Sequence, residues 1–171
     1  NVVTDENGRF ELVDMPAPQF FVHVDGSTAT NAPDGFMYPN VGKPFGSVPG
    51  QTIQLNMAGD PFDLFLPPVA IADIQDLSDT EATDVGFGDE GMLALAELFP
   101  DVDPAMFAAM GVSIAPGSAQ DSQGNAATQA TVVPVPADRI PGVLPPNLDT
   151  SLVVSIQTFG ATNFDVPAPV T

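Results

Sequence analysis

The chain has 171 residues, with 22 acidic side chains against three basic ones and no cysteine, giving a formal net charge of −19 at pH 7. Arg9, Lys43 and Arg139 are the only cations. This excludes a nucleic-acid partner, since neutralising phosphates takes clustered Lys and Arg. The same charge is repelled by an anionic membrane surface, and no apolar run reaches the ~18 residues needed for a membrane-spanning helix, so membrane insertion is not expected.

A hydrophobic content of 44% with 12 Phe supplies a core, which argues against global disorder. The 19 Pro and 15 Gly cut the chain into short segments, as suits an all-β protein with many turns. Without Cys there is no disulfide framework, thiolate nucleophile or Cys-ligated metal. The expected fold class is mainly β: β-sandwich modules with a short inserted α-helical hairpin. The absence of an initiator Met and of a leader leads to the expectation of a piece of a longer protein.

In chain order, Val2–Thr4 is a predicted short strand, Asp5–Gly8 a turn, and Arg9–Val13 an alternating strand. Asn7 and Gly8 are expected to supply the positive φ of a tight hairpin. Phe20–Val24 is a strongly β-prone run, expected to be buried on both faces and ended by Asp25-Gly26. Residues 27–51, rich in Gly, Pro and Asn, are expected to form an ordered loop. Thr52–Met57 alternates again, and Phe62–Leu66 is a short apolar segment.

Residues 73–103 concentrate acid without compensating base, and 73–88 lack periodicity, which predicts a mobile segment. A helix fits Asp89–Phe99, stopped by Pro100. A second fits Pro104–Met110, with Asp103 as N-cap, Pro104 at the first helical position and Gly111 in a left-handed C′ position. Met92, Leu95, Phe99, Met106, Phe107 and Met110 would form the apolar faces of this pair. The β pattern then returns: a strand at Val112–Ala115, a turn at Pro116-Gly117, a hairpin tip at Asp121–Asn125 and a strand at Ala130–Val135. A Pro-rich crossover spans Pro136–Pro146, Leu152–Thr158 is a further strand, and Asn163–Val170 resembles an unfinished one.

The string VTDENGRFELVDMPAPQFFVHVDGS (Val3–Ser27) resembles the C-terminal half of a carboxypeptidase-regulatory-like, or prealbumin-like, β-sandwich. Residues Gly111–Thr171, with PGS, DSQGN, VPADRIPGVLPP, VSIQ and FDVPAPVT, resemble a β-module of large bacterial surface proteins, itself similar to ZU5-type sandwiches. Together the resemblances imply three parts. These are the C-terminal part of a prealbumin-like sandwich over 1–68, an acidic linker with two short helices over 69–111, and the N-terminal part of a second β-module over 112–171. Neither resemblance implies a catalytic residue.

Two acid-rich turns carry candidate calcium ligands: Asp5 and Asn7 in the first, and Asp121, Gln123 and Asn125 in the second. Their spacing is also ordinary hairpin chemistry, and neither has the distal acid of a complete 12-residue calcium loop. Phe36, Tyr38 and Phe45 are a candidate carbohydrate platform, with loop anchoring as the alternative. His23, lacking a second His or a Cys, reads as structural. Lys43, in a Gly/Pro stretch, reads as solvent-exposed rather than as the buried lysine of an isopeptide cross-link. No nucleophile–base pair is evident, so no enzyme is expected and Ca²⁺ is the sole candidate cofactor. The functional expectation is a structural or adhesive module of a large secreted or surface protein, assembling by strand exchange or through calcium. A carbohydrate-binding module and a subunit of an extracellular filament are the alternatives. The expected partners are a protein, a second copy or a glycan.

Overall fold

The computed structural model describes residues 1–53, 64–136, 139, 152–159 and 163–170, and its architecture is mainly β, built from several antiparallel sheets. The expected strands at Val2–Thr4 and Arg9–Val13 are not formed, although the turn between them is. Alternation alone does not make a strand, because a strand also needs a partner edge and a core to face. The first strand is β1 (Gln19–Val24). It pairs antiparallel with β3 (Val41–Gly46), in register Gln19↔Gly46 through Val24↔Val41. The region expected to be a loop therefore holds β3, and also the short β2 (Phe36–Met37), which pairs with β4 (Val69–Ala70).

Burial along β1 alternates, rather than covering both faces as expected. Val22 is buried, while Phe21 and His23 are exposed. Lys43, opposite Val22, is likewise buried, its ammonium 5.4 Å from the Phe45 ring centroid. The expectation of a solvent-exposed lysine is thus corrected: once β3 is a strand, strict alternation turns position 43 inward with Val41 and Phe45. The β1 strand ends at a single 3-10 turn, Gly26–Thr28, where Asp25 accepts hydrogen bonds from the Ser27 amide at 3.1 Å and the Ser27 hydroxyl at 2.6 Å.

The acidic segment is not a mobile linker. It forms a 3-10 turn at Ile71–Asp73, then β5 (Gln75–Asp76) and β6 (Thr83–Gly86), and it buries Asp73 and Val85. Both strands join the C-terminal part. The β6 strand pairs with β7 (Gly111–Ile114), and β5 pairs with β9 (Gln129–Val135), whose other edge carries β10 (Val153–Gln157). The small ribbon β8 (Ala119–Gln120) with β11 (Asn163–Phe164) completes the set, and Val170 bridges to Val112. Apolar side chains from both sides of the expected boundary make one core: Val85, Val112, Ile114, Ala119, Ala130 and Val132, with Leu77, Phe87, Val154 and Ile156 packed against it. The acids of 73–88 lie mostly outside, and the interleaved Val85 and Leu77 hold the segment down.

Between β6 and β7 the chain forms α1 (Asp89–Leu98) and α2 (Pro104–Ala108), close to the expected bounds. Asp103 caps α2 by accepting from the Ala105 amide at 2.9 Å, and the Phe99 and Phe107 rings meet at 5.8 Å to join the pair. Met106, expected on the apolar face, is 66% exposed, because α2 stops after a single turn and a half. Gly111 is not a left-handed cap. It opens β7, and glycine is required there because a Cβ would stand 2.8 Å from the Val85 carbonyl oxygen. The expected segments Gln54–Met57 and Phe62–Asp63, and most of the Pro136–Pro146 crossover, lie outside the described residues.

Candidate interaction surface

The two acid-rich turns have the same construction from different sequences. In the first, the Asp5 amide donates to the Arg9 carbonyl at 2.9 Å and the Gly8 amide to the Asp5 carbonyl at 3.0 Å. Asp5 Oδ1 accepts the amides of Asn7 and Arg9 at 2.8 and 2.9 Å. In the second, the Asp121 amide donates to Asn125 at 2.9 Å and the Gly124 amide to Asp121 at 3.1 Å. Asp121 Oδ1 accepts the amides of Gln123 and Asn125 at 2.8 and 2.9 Å. Only the fourth residue takes a positive φ, +75° at Gly8 and +84° at Gly124. This is a type I turn closed by a left-handed glycine, not the two-residue turn expected of Asn7-Gly8.

This geometry bears on calcium. Asp121 engages both carboxylate oxygens within the turn, since its Oδ2 accepts from Asn125 Nδ2 at 2.8 Å. The Asn125 amide therefore points its NH₂ at the carboxylate. Asp5 has one oxygen fixed on two amides. Among the described residues no group of three His, Cys, Asp or Glu side chains is placed to hold a metal ion. The Asp5 and Asp121 carboxylates thus close their own turns on the backbone amides of Asn7, Arg9, Gln123 and Asn125.

The same hydrogen bonds set a pH response. The Arg9 and Asn7 amides hold the Asp5 carboxyl below its ordinary value of 3.8, and the Asn125 side chain and amide, with the Gln123 amide, do so for Asp121. Because the folded values are depressed, these turns are supported above pH 3.8 and lose that support as pH falls through the lowered values. In an NMR titration, the amides of Asn7, Arg9, Gln123 and Asn125 are expected to move together with midpoints below 3.8. Added Ca²⁺ is expected to leave them in place near neutral pH. Midpoints at or above the ordinary carboxylate value contradict the first expectation, and saturable calcium shifts the second.

The three candidate platform aromatics each have a different neighbour. Phe36 is half-buried in β2, opposite Ala70. Tyr38 is half-buried, and its carbonyl lies against Gly26. Phe45 stacks on Phe20, with ring centroids 5.8 Å apart and an interplanar angle of 26°, and it also receives Lys43. All three are half-buried.

The exposed aromatic of this region is Phe21, 60% exposed, with His23 beside it on the same face. Reading the run as buried on both faces concealed Phe21, and reading His23 as structural concealed its exposure. The available signal was the alternation itself, Phe20/Val22/Val24 against Phe21/His23.

Asp73 is the second residue that composition concealed. Its Oδ2 accepts the Gly91 amide at 2.8 Å and its Oδ1 the Glu90 amide at 3.4 Å, so it caps α1 from outside the helix. The N-cap position proper is Gly88, which has no side chain to do this. Any Cβ at 88 would run into the Asp73 carboxylate. The backbone carbonyl of Asp73 accepts from the fully buried Thr131 hydroxyl at 3.1 Å, tying the cap to β9.

An apolar hollow lined by Phe87, Met110, Val132, Val154, Ile156 and Val170 has a volume of only about 20 Å³. That is room for one water and no polar partner to hold it. Comparison with protein-family models, with curated protein sequences and with solved structures finds no match for this chain.

Proposed function

We propose that the chain is a non-enzymatic structural module of a large secreted or surface protein, assembling with a protein partner or a second copy through open strand edges. The observation that supports this is the sheet topology: four of the five sheets have two strands, so among the described residues most strands keep an edge without a β partner. A two-stranded ribbon is marginal by itself and offers unpaired N–H and C=O groups to an incoming strand. Strand addition supplies affinity through main-chain hydrogen bonds and needs no cleft and no cation. The secreted or surface setting rests on the resemblance of Gly111–Thr171 to a β-module of large bacterial surface proteins.

Sedimentation velocity across protein concentrations from about 1 to 100 μM, joined to hydrogen exchange, tests the reading. The expected result is reversible association that adds protection to amides of β1, β3 or β10. A monomer throughout the range, or association without added strand protection, overturns it. Association abolished by a chelator also overturns it, in favour of calcium bridging.

A further inference from the structure

The outer face of the β1–β3 ribbon carries an arrangement that strand pairing does not use. Gln19, Phe21 and His23 share this face with their cross-strand partners Gly46, Pro44 and Gly42, and all six are exposed. The Phe21 ring leans across to β3, where a Cβ on Gly42 would collide with its Cε1 and Cζ. Gly42 thus provides the space in which the ring is held, while 60% of the residue stays open to water. Gln19 and His23 stand two residues to either side and present an amide and an imidazole.

We infer that this face is a binding platform for a neutral saccharide. Phe21 receives the C–H face of a sugar ring, and Gln19 and His23 bond to its hydroxyls. Size is the first argument. Six residues at about 3.4 Å rise, on two strands about 5 Å apart, present roughly 200 Å². A stable protein interface covers about 800 Å² per partner, so a second copy or a folded partner is under-served here.

Charge is the second argument. None of the six residues is a carboxylate, a lysine or an arginine, in a chain of net charge −19. The nearest carboxylate along the strand, Asp25, is engaged with Ser27. The chain's field repels anions, while this face offers a cation no carboxylate, which leaves a neutral ligand. The third argument is chemical: one fixed aromatic flanked by an amide and an imidazole matches an amphipathic ring. A proline-rich peptide is instead read by a groove lined with several aromatics.

The platform does not depend on strand-edge assembly, and its test is separate. Neutral hexasaccharides with β-1,4-glucan, xylan, chitin and α-1,4-glucan backbones, a polygalacturonate oligomer and a proline decapeptide are each titrated to about 10 mM into ¹⁵N-labelled protein. The expected result is saturable shifts confined to 19–23 and 42–46 with at least one neutral sugar. Phe21→Leu keeps an apolar cover over Gly42 but removes the π face, and is expected to weaken binding at least tenfold with an unchanged melting curve. Gln19→Ala is expected to weaken it several-fold. No shift with any neutral sugar, shifts that survive Phe21→Leu, or a stronger response to the polygalacturonate or the peptide overturns the inference.

Discussion

Asp73→Ala is expected to lower the unfolding free energy by about 2–3 kcal/mol, a large share of the 5–15 kcal/mol typical of a domain. The substitution removes the acceptor for the Gly91 and Glu90 amides. Gly91 is buried, so its N–H is left without a partner. A lost helix cap costs about 1 kcal/mol, and stranding a buried donor adds roughly 1–2. The more decisive measurement is a double-mutant cycle with Gly88→Ser. In the wild-type background serine at 88 collides with the Asp73 carboxylate and destabilises the protein. In an Asp73→Gly background the Cβ, Cγ and carboxylate oxygen that obstruct position 88 are all absent. The backbone at 88 (φ −80°, ψ −176°) is ordinary extended chain that suits a serine N-cap, which is then expected to restore about 1 kcal/mol. The same mutation changes sign with background. Equal effects in the two backgrounds, measured by urea unfolding with an unchanged slope, contradict the remote cap.

Gly26→Ala is expected to cost about 3 kcal/mol, at the upper end for overpacking. Gly26 is buried, and its amide donates to Asn40 Oδ1 at 3.1 Å. A Cβ there would collide with the Pro39 carbonyl oxygen and stand 2.7 Å from that of Tyr38. Both obstacles are backbone, so no side-chain rotation relieves them. The sign carries the information. Gly26 is not among the positive-φ residues, and at such a position alanine ordinarily stabilises by about 0.4–1 kcal/mol through the unfolded chain. A rise in stability on Gly26→Ala would mean that the β1 end and the Tyr38–Pro39 segment do not close on each other as described.

These two residues show where the sequence was legible. Asp103-Pro104 was read correctly as a helix start because N-capping is local: donor and acceptor are two residues apart. The Asp5 and Asp121 turns were legible for the same reason. Asp73 was not, because it caps a helix 17 and 18 residues away and its neighbours gave it the look of a solvated acid. Strand β3 was hidden by Gly42, Pro44 and Gly46, residues that read as loop. They are tolerated there because the outward face needs no packing and Phe21 covers Gly42. The buried position of Lys43 and the exposed one of Phe21 both follow once that strand is recognised. Phe36, Tyr38 and Phe45 are half-buried rings, whereas the exposed ring, Phe21, stands on the opposite parity of a neighbouring strand.

The pairing of Gly86 with Gly111 has a topological meaning. Antiparallel partners stand about 5 Å apart at Cα, so residues 87–110 leave the sheet and return to nearly the same point. The two helices are a pendant. The sheet fixes the anchor points but not the length of what hangs between them, and a tight turn would close β6 onto β7 as well as the present excursion does. What sets the pendant's size is its far contact, where Leu95 is fully buried and Asp73 holds the first turn of α1. A pendant attached in this way is fastened to the β framework at its root and again through Phe87, Leu95 and Asp73, so losing it would open the core around Val85 and Val112 as well as remove two helices.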